Sequence, residues 1–481
     1  MQSKKMLLIE LNEVPFRVID AYAAANPAST ISRLMASSRQ FTTVTEDKLA
    51  LDPWISWPTL HRGVTDEMHQ ILHLGQELSE ADFQYPPIWR ILKGRGLNVG
   101  VFGSLHSSSI PEDYSEYAFY LPDYFADALV AHPRALMPFQ ELSLRMTRQS
   151  ARNVSRKLPV NSALRTIGSA RRLGIKSGTA LACAAQLVRE LGNRSLRIRR
   201  RAYQPLVMAD IFVRQLESTQ SDFASFYTNH VAAAMHRYWG ATFPNDTDSA
   251  MDAAWVRKYS GEIQFAMGIF DQILERILTY VERNPEFLLV IASSMGQAAI
   301  PAEMTSEFLT IADSGKFMRA LGLESESWHP RPAMVPCTCI LVDEKYREVL
   351  RRNLDEMTVN GMRFVEDRRP IAPMSYDERE RGFFQIFVQY DSYRGPKNAV
   401  IKGREVRFED AGLGLLPHED GVNCTAQHIP EGSLIVYSPS TRDAGSRSLE
   451  TISTIAIAPS ILKYFGASVP TYMRGTTELF C

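Results

Sequence analysis

From Leu51 to Gln76 the chain reads LDPWISWPTLHRGVTDEMHQILHLGQ, which brings hydroxyls (Ser56, Thr59), an acid (Asp52) and three imidazoles (His61, His69, His73) into 26 residues. Acid–base and nucleophilic catalysis use such side chains, because a hydroxyl is a weak nucleophile until a base takes its proton or a metal lowers its pKa. Polar groups also close four predicted strands: Glu10 and Asn12, Ser104 and His106, Asn229 and His230, Ser293 and Ser294. The crevice beyond the strand carboxyl ends is where open α/β sheets hold ligands. Each histidine also has a plain structural reading. His69 can brace a loop, His73 and His106 can be packed side chains, and His236 can belong to an aromatic corner with Arg237, Tyr238 and Trp239.

These residues need elements to position them. The apolar run Met6–Leu11 reads as a buried parallel strand that ends in Glu10, Asn12 and Glu13. Helices are predicted at Phe16–Ala25 and Ala28–Ser37, and a short strand at Phe41–Val44. A helix follows at Pro87–Lys93, stopped by the Gly94–Gly96 turn, and then a strand at Asn98–Gly103. The alternation is that of a doubly wound sheet. It resumes with a strand at Asp222–Tyr227, one long amphipathic helix over Trp255–Asn284 and a strand at Phe287–Ala292. A last strand is expected at Ser433–Tyr437, before the helix IAPSILKYFG. The expected division is an α/β core in three parts (1–144, 206–329 and 419–481), a basic helical insertion at 145–205 and a smaller α+β cap subdomain at 330–418.

With 481 residues, 45% hydrophobic and 22% charged, and a net charge of −1, the chain reads as a soluble globular protein without a general affinity for polyanions. The cysteines Cys183, Cys337, Cys339, Cys424 and Cys481 form no regular framework, so reduced thiols in a cytoplasmic protein are expected. Neither a signal peptide nor a membrane-spanning run is read. No P-loop, dinucleotide motif or nucleic-acid module is present. The segment Arg145–Arg201 departs from this balance, with fifteen Lys or Arg and one acid, Glu190. Its apolar residues fall at helical spacing (Leu158, Leu164, Ile167; Leu181, Leu187, Leu191). Two readings stand: a solvated helical lid, or a surface for an anionic lipid headgroup, a charged glycan or a partner, and hence a peripheral contact with an anionic membrane.

The order of the pieces resembles the alkaline phosphatase superfamily, in particular its type I phosphodiesterase/nucleotide pyrophosphatase branch. A strand ending in an acid leads to a Ser/Thr-rich segment with Gly63-Val-Thr-Asp-Glu-Met-His69-Gln-Ile71. A strand then ends in an Asn/His cluster, and a long helix leads to a strand closing in Ser-x-x-Gly. A late His428 precedes the strand at 433–437 and the terminal IAPSILKYFG. The resemblance spans roughly residues 4–125, 205–310 and 420–476. It implies a three-layer α/β/α sandwich. It also implies a divalent-metal site, usually zinc, beside a Ser or Thr nucleophile that accepts a phosphoryl or sulfuryl group.

Carried over by position, the resemblance puts Glu10 at the first metal-binding acid, His236 near the histidine of a D-x-x-x-H motif and His428 at the late metal histidine, with His230 as an added ligand candidate in the same cluster. Ser56 and Thr59 are the candidate nucleophiles, and His61 or His69 the candidate base. The departures are specific. Ser293-Ser294-Met295-Gly296 stands where the family has Ser-Asp-His-Gly, Ala232 precedes His236 by four residues, and Pro53 occupies the expected nucleophile position. The activity implied is that of a phosphoric or sulfuric ester hydrolase or transferase with a degenerate metal site, acting on a sugar-phosphate or glycolipid of surface glycan metabolism. The alternative is a non-catalytic relative that binds an anionic ligand or partner.

Overall fold

A computed structural model of the chain describes residues 4–149, 159–248, 251–333, 336–367, 372–441, 445–475 and 478–480. Leu158 and Cys481, singled out in the sequence, lie outside them. The chain divides into two compact units, one spanning residues 1–149, 154–301 and 424–481, the other built on 302–423.

The larger unit is centred on an eight-stranded sheet. Across the sheet the strands are Ser446–Ser453, Arg39–Val44, Glu431–Tyr437, Phe287–Ala292, Lys5–Leu11, Phe223–Thr228, Val99–Phe102 and Phe119–Leu121. Only Glu431–Tyr437 runs against its neighbours. The central strands are buried on both faces and therefore read as unbroken apolar runs, MLLIEL and FLLVIA. One face packs Met6, Leu8, Val101, Val290 and Leu434 against Trp57, Leu60, Trp89, Ile457 and Ile461 of the helices Pro53–Arg62, Ile88–Gly94 and Ile457–Tyr464. On the other face Phe102 and Phe226 meet Phe212 of the helix Arg200–Thr219, with ring centroids 5.7 and 5.0 Å away. This is a three-layer α/β/α sandwich, the architecture that the resemblance implies.

Local sequence explains where the elements differ from expectation. The long helix is two, Ala253–Tyr259 and Glu262–Arg283, broken at Ser260-Gly261, where glycine weakens helix propagation. The stretch Pro53–Arg62 is a helix although it contains Pro58, which reads as a breaker. Pro53 begins it, the Asp52 carboxylate caps it by accepting from the Trp54 N–H, and Gly63 ends it with φ +64°. A β-carbon at Gly63 would also meet Met473 at 3.1 Å and Pro459 at 3.2 Å. The sheet's two edge strands, Phe119–Leu121 and Ser446–Ser453, are not among the strands the sequence predicts.

The smaller unit carries sheets of five, four and three strands with helices Ser314–Ala320 and Arg347–Glu356. It has its own core around Leu309, Phe317, Ile340, Leu350, Tyr376 and Phe384. The segment 330–418 expected from sequence lies within it, together with residues 302–329 and 419–423, which the expected division gives to the core.

Candidate metal centre

Parallel register brings the strand ends Leu11, Thr228 and Ala292 to one edge of the sheet. The reversed strand Glu431–Tyr437 begins at that same edge, so the segment before it, Ala426–Ile429, arrives there too. That segment pairs with Gly296–Ala299, with His428 opposite Gln297. Beyond Thr228 the helix His230–Thr242 starts, and His236 lies almost two turns along it.

Three side chains converge at this edge: Glu13, His236 and His428, whose ligand atoms all lie within 4.8 Å of one another. Glu13 Oε2 is 3.0 Å from His236 Nε2 and 3.2 Å from His428 Nε2, the latter in a geometry that makes no well-directed hydrogen bond. Each ring is fixed from behind. His236 Nδ1–H donates to the Ala426 carbonyl at 3.0 Å, and His428 Nδ1–H donates to the Leu51 carbonyl at 3.0 Å. Because a carbonyl only accepts, both rings present Nε2 to the carboxylate. The Glu13 carboxylate is itself held by the Asn12 and Gln297 amides. Asn12 in turn accepts from Trp57 Nε1 at 2.7 Å and donates to Asn229 Oδ1 at 2.8 Å. Glu13 adopts φ +60°, in the left-handed region that non-glycine residues occupy only at a cost.

The charges follow from this arrangement. Burial alone would push the Glu13 carboxyl up, but the facing His428 and His236 rings hold it well below the usual range. Burial would lower His236, yet Glu13 raises it well above the ordinary histidine value, and His428 is raised the same way. Asp52 keeps some exposed surface but is surrounded closely enough that burial pushes it up to about 7, partly offset by His428. Cys424 Sγ lies 3.6 Å from His236 Nδ1.

The donor set suits a divalent cation. One carboxylate and two imidazole Nε2 atoms converge, and each ring's Nδ1–H is anchored on a backbone carbonyl, as is common for metal-bound histidines. The buried Nε2 of His428, which lacks a proper hydrogen-bond partner, is the atom such an ion would engage.

The other sequence candidates lie elsewhere. Glu10 is a strand residue opposite Tyr227 and Ala292, and its buried Oε1 accepts from His61 Nε2 at 3.0 Å and Ser104 Oγ at 2.9 Å. His230 binds Thr228 Oγ1 at 2.6 Å and the Ala266 carbonyl at 3.1 Å, and burial lowers it to about 4. Both its nitrogens are thus engaged outside the cluster. Ser56 Oγ is fully buried against Ser294 Oγ at 2.8 Å. Thr59 Oγ1 donates to Asp47 Oδ1 at 2.6 Å and lies 3.0 Å from His69 Nε2. His69 Nδ1 accepts the Ile71 N–H at 2.9 Å, so the proton of the neutral ring is on Nε2. Burial, with Arg62 and His106 nearby, keeps that ring neutral. His69 therefore donates to Thr59 and cannot take its proton.

The sequence places Glu13 at the strand end and assigns it no role, and nothing in it singles out Gln297. A signal was available. A residue inside a buried strand points into a packed layer, whereas the first acid past the strand end can enter the crevice.

The fold and centre together define an α/β sandwich protein with a carboxylate–bis-histidine cluster at the carboxyl edge of its sheet. No family model and no curated protein match the chain. Among solved structures it is similar to murine ectonucleotide pyrophosphatase/phosphodiesterase 5, at 11% identity and TM-score 0.45, with 98% of each chain covered. An inactive form of the murine protein in complex with AMP (9% identity, TM-score 0.41) covers 98% of each chain. The human protein (9% identity, TM-score 0.41) covers 98% of this chain and 97% of its own.

Proposed function

We propose that the chain is a diverged member of the alkaline phosphatase superfamily that acts on a phosphoric or sulfuric ester through one divalent cation, zinc by its donor set. Glu13, His236 and His428 hold the ion. The observation that carries this reading is the pair of imidazoles, each fixed through Nδ1–H, turning Nε2 toward one carboxylate oxygen. When bound, the cation supplies Lewis acidity toward a phosphoryl or sulfuryl oxygen and activates water. Asn12 and Gln297 orient the carboxylate, and the Ala426 and Leu51 carbonyls orient the rings. Asp52, pushed up to about 7 beside the cluster, holds and returns a proton near neutral pH. A small-molecule ester is the substrate class, and a sugar-phosphate or glycolipid the particular candidate.

A second reading has its own observation. The Ser56 hydroxyl is fully buried and bonded within the protein, as is that of Thr59, and Met295 replaces a ligand histidine. This favours a binding protein without turnover. Elemental analysis of protein purified without chelators or a metal-binding tag separates the two. The hydrolase reading expects about one ion per chain, lost in His236→Ala and His428→Ala, and turnover of model phosphodiesters or sulfate esters. A folded, metal-free protein refutes it and leaves the binding reading.

A further inference from the structure

The basic insertion contains two helices that are inside out. In Val160–Gly168 the buried residues are Ser162 and Thr166, and in Ser177–Gly192 they are Thr179, Gln186 and Glu190. All five point their polar groups inward to partners. Ser162 donates to Glu141 and Thr166 to the Pro138 carbonyl, Thr179 accepts from Arg276, Gln186 donates to the Leu196 carbonyl, and Glu190 pairs with Arg200. The apolar residues face outward. Val160, Leu164 and Ile167 on the first helix and Leu181, Val188 and Leu191 on the second are 60 to 86% exposed. Their spacing puts each set on one stripe of its helix. A surface helix normally turns such a stripe to the core, and exposed apolar faces of this kind mark interaction surfaces.

The neighbouring charge selects the partner. Arg171, Arg172, Arg189 and Arg194 are exposed beside these helices, and the one acid between Arg145 and Arg201, Glu190, is buried in its ion pair. We infer that these two helices dock on an anionic lipid bilayer, each with its apolar stripe in the headgroup–acyl boundary and the arginines on lipid phosphates. A second copy of the chain fits poorly, because a two-fold contact would bring two arginine-rich surfaces together with no exposed acid between Arg145 and Arg201 to offset them. No helix among the described residues is long and apolar enough to cross a membrane, so the contact is peripheral.

The test is co-sedimentation of the full chain with vesicles of phosphatidylcholine alone and with about 30% phosphatidylglycerol added. Partition onto the anionic vesicles only, falling at about 0.5 M salt, is expected. Arg171→Gln and Arg172→Gln should each weaken it about fivefold. The double variant Leu164→Gln/Leu191→Gln should weaken it at least about tenfold with an unchanged unfolding midpoint, because both side chains are exposed. Three results would overturn the inference: equal partition onto neutral vesicles, undiminished partition in the apolar variant, or a wild-type dimer that this variant converts to monomer.

Discussion

In the absence of a cation, the raised histidines and lowered glutamate mean that His236 and His428 carry protons over an ionised Glu13. A cation needs both Nε2 lone pairs, so binding must expel two protons. Below the two histidine values, affinity should rise about 100-fold per pH unit, or about 2.7 kcal/mol. Titration calorimetry with zinc at about pH 6, in two buffers of different ionisation enthalpy, counts those protons directly. Glu13→Gln removes the charge that keeps the rings protonated and leaves burial to lower them. Zinc binding should then be weaker and release fewer than about one proton. Zinc binding to the wild type without proton release, or undiminished release in the glutamine variant, would refute the electrostatic account of the cluster.

The same linkage sets the metal-free protein's stability. The raised histidines contribute below 6.5 and lose that contribution as pH rises through their folded values, while Glu13 contributes above 4.5 and loses it as pH falls. His236→Gln should therefore cost more stability at about pH 5.5 than at about pH 9, as thermal melts of the metal-free forms will read. His230 is lowered from 6.5 to about 4, so its contribution is complete above 6.5 and is lost as pH falls through about 4. His230→Gln should flatten acid destabilisation by about 3 kcal/mol in urea titrations. Asp52→Asn should retain the ion but lower turnover about 100-fold and remove a pH-profile limb. Gly63→Ala forces a β-carbon into φ +64° against Met473 and should cost about 1–2 kcal/mol by urea unfolding.

Much of the sheet was legible because buried parallel strands write themselves as apolar runs. Met6–Leu11 and Phe287–Ala292 are bounded by polar residues, and the structure finds strands within one residue of both. Phe119–Leu121 and Ser446–Ser453 were not legible. The first is only three residues long, and the second, SRSLETIS, is a largely exposed edge strand whose polar sequence carries no burial pattern. The sequence reading assigns no element to the helix that carries Ser56 and Thr59, and Pro58 within it counts against a helix. His236 and His428, which the structure brings together with Glu13, stand out in the sequence through their place in the order of motifs. The resemblance, carried over by position, falls on Glu10, because counting along a strand does not say which acid lies inside the sheet and which lies beyond its end. The inverted helices kept their secret for a related reason. Apolar residues at helical spacing predict a stripe, but not whether it faces the core or the solvent.

The three residues of the centre come from the first fifth, the middle and the last fifth of the chain. The site therefore cannot exist in a partly synthesised protein: until residue 428 has been made and the reversed strand has entered the sheet, no pair of rings faces Glu13. Ion capture would be a completion signal. It would stabilise only chains whose beginning and end have met, by an amount set by free ion concentration over affinity. A truncated product would gain nothing from the metal and would stay as susceptible to proteolysis in its presence as in its absence.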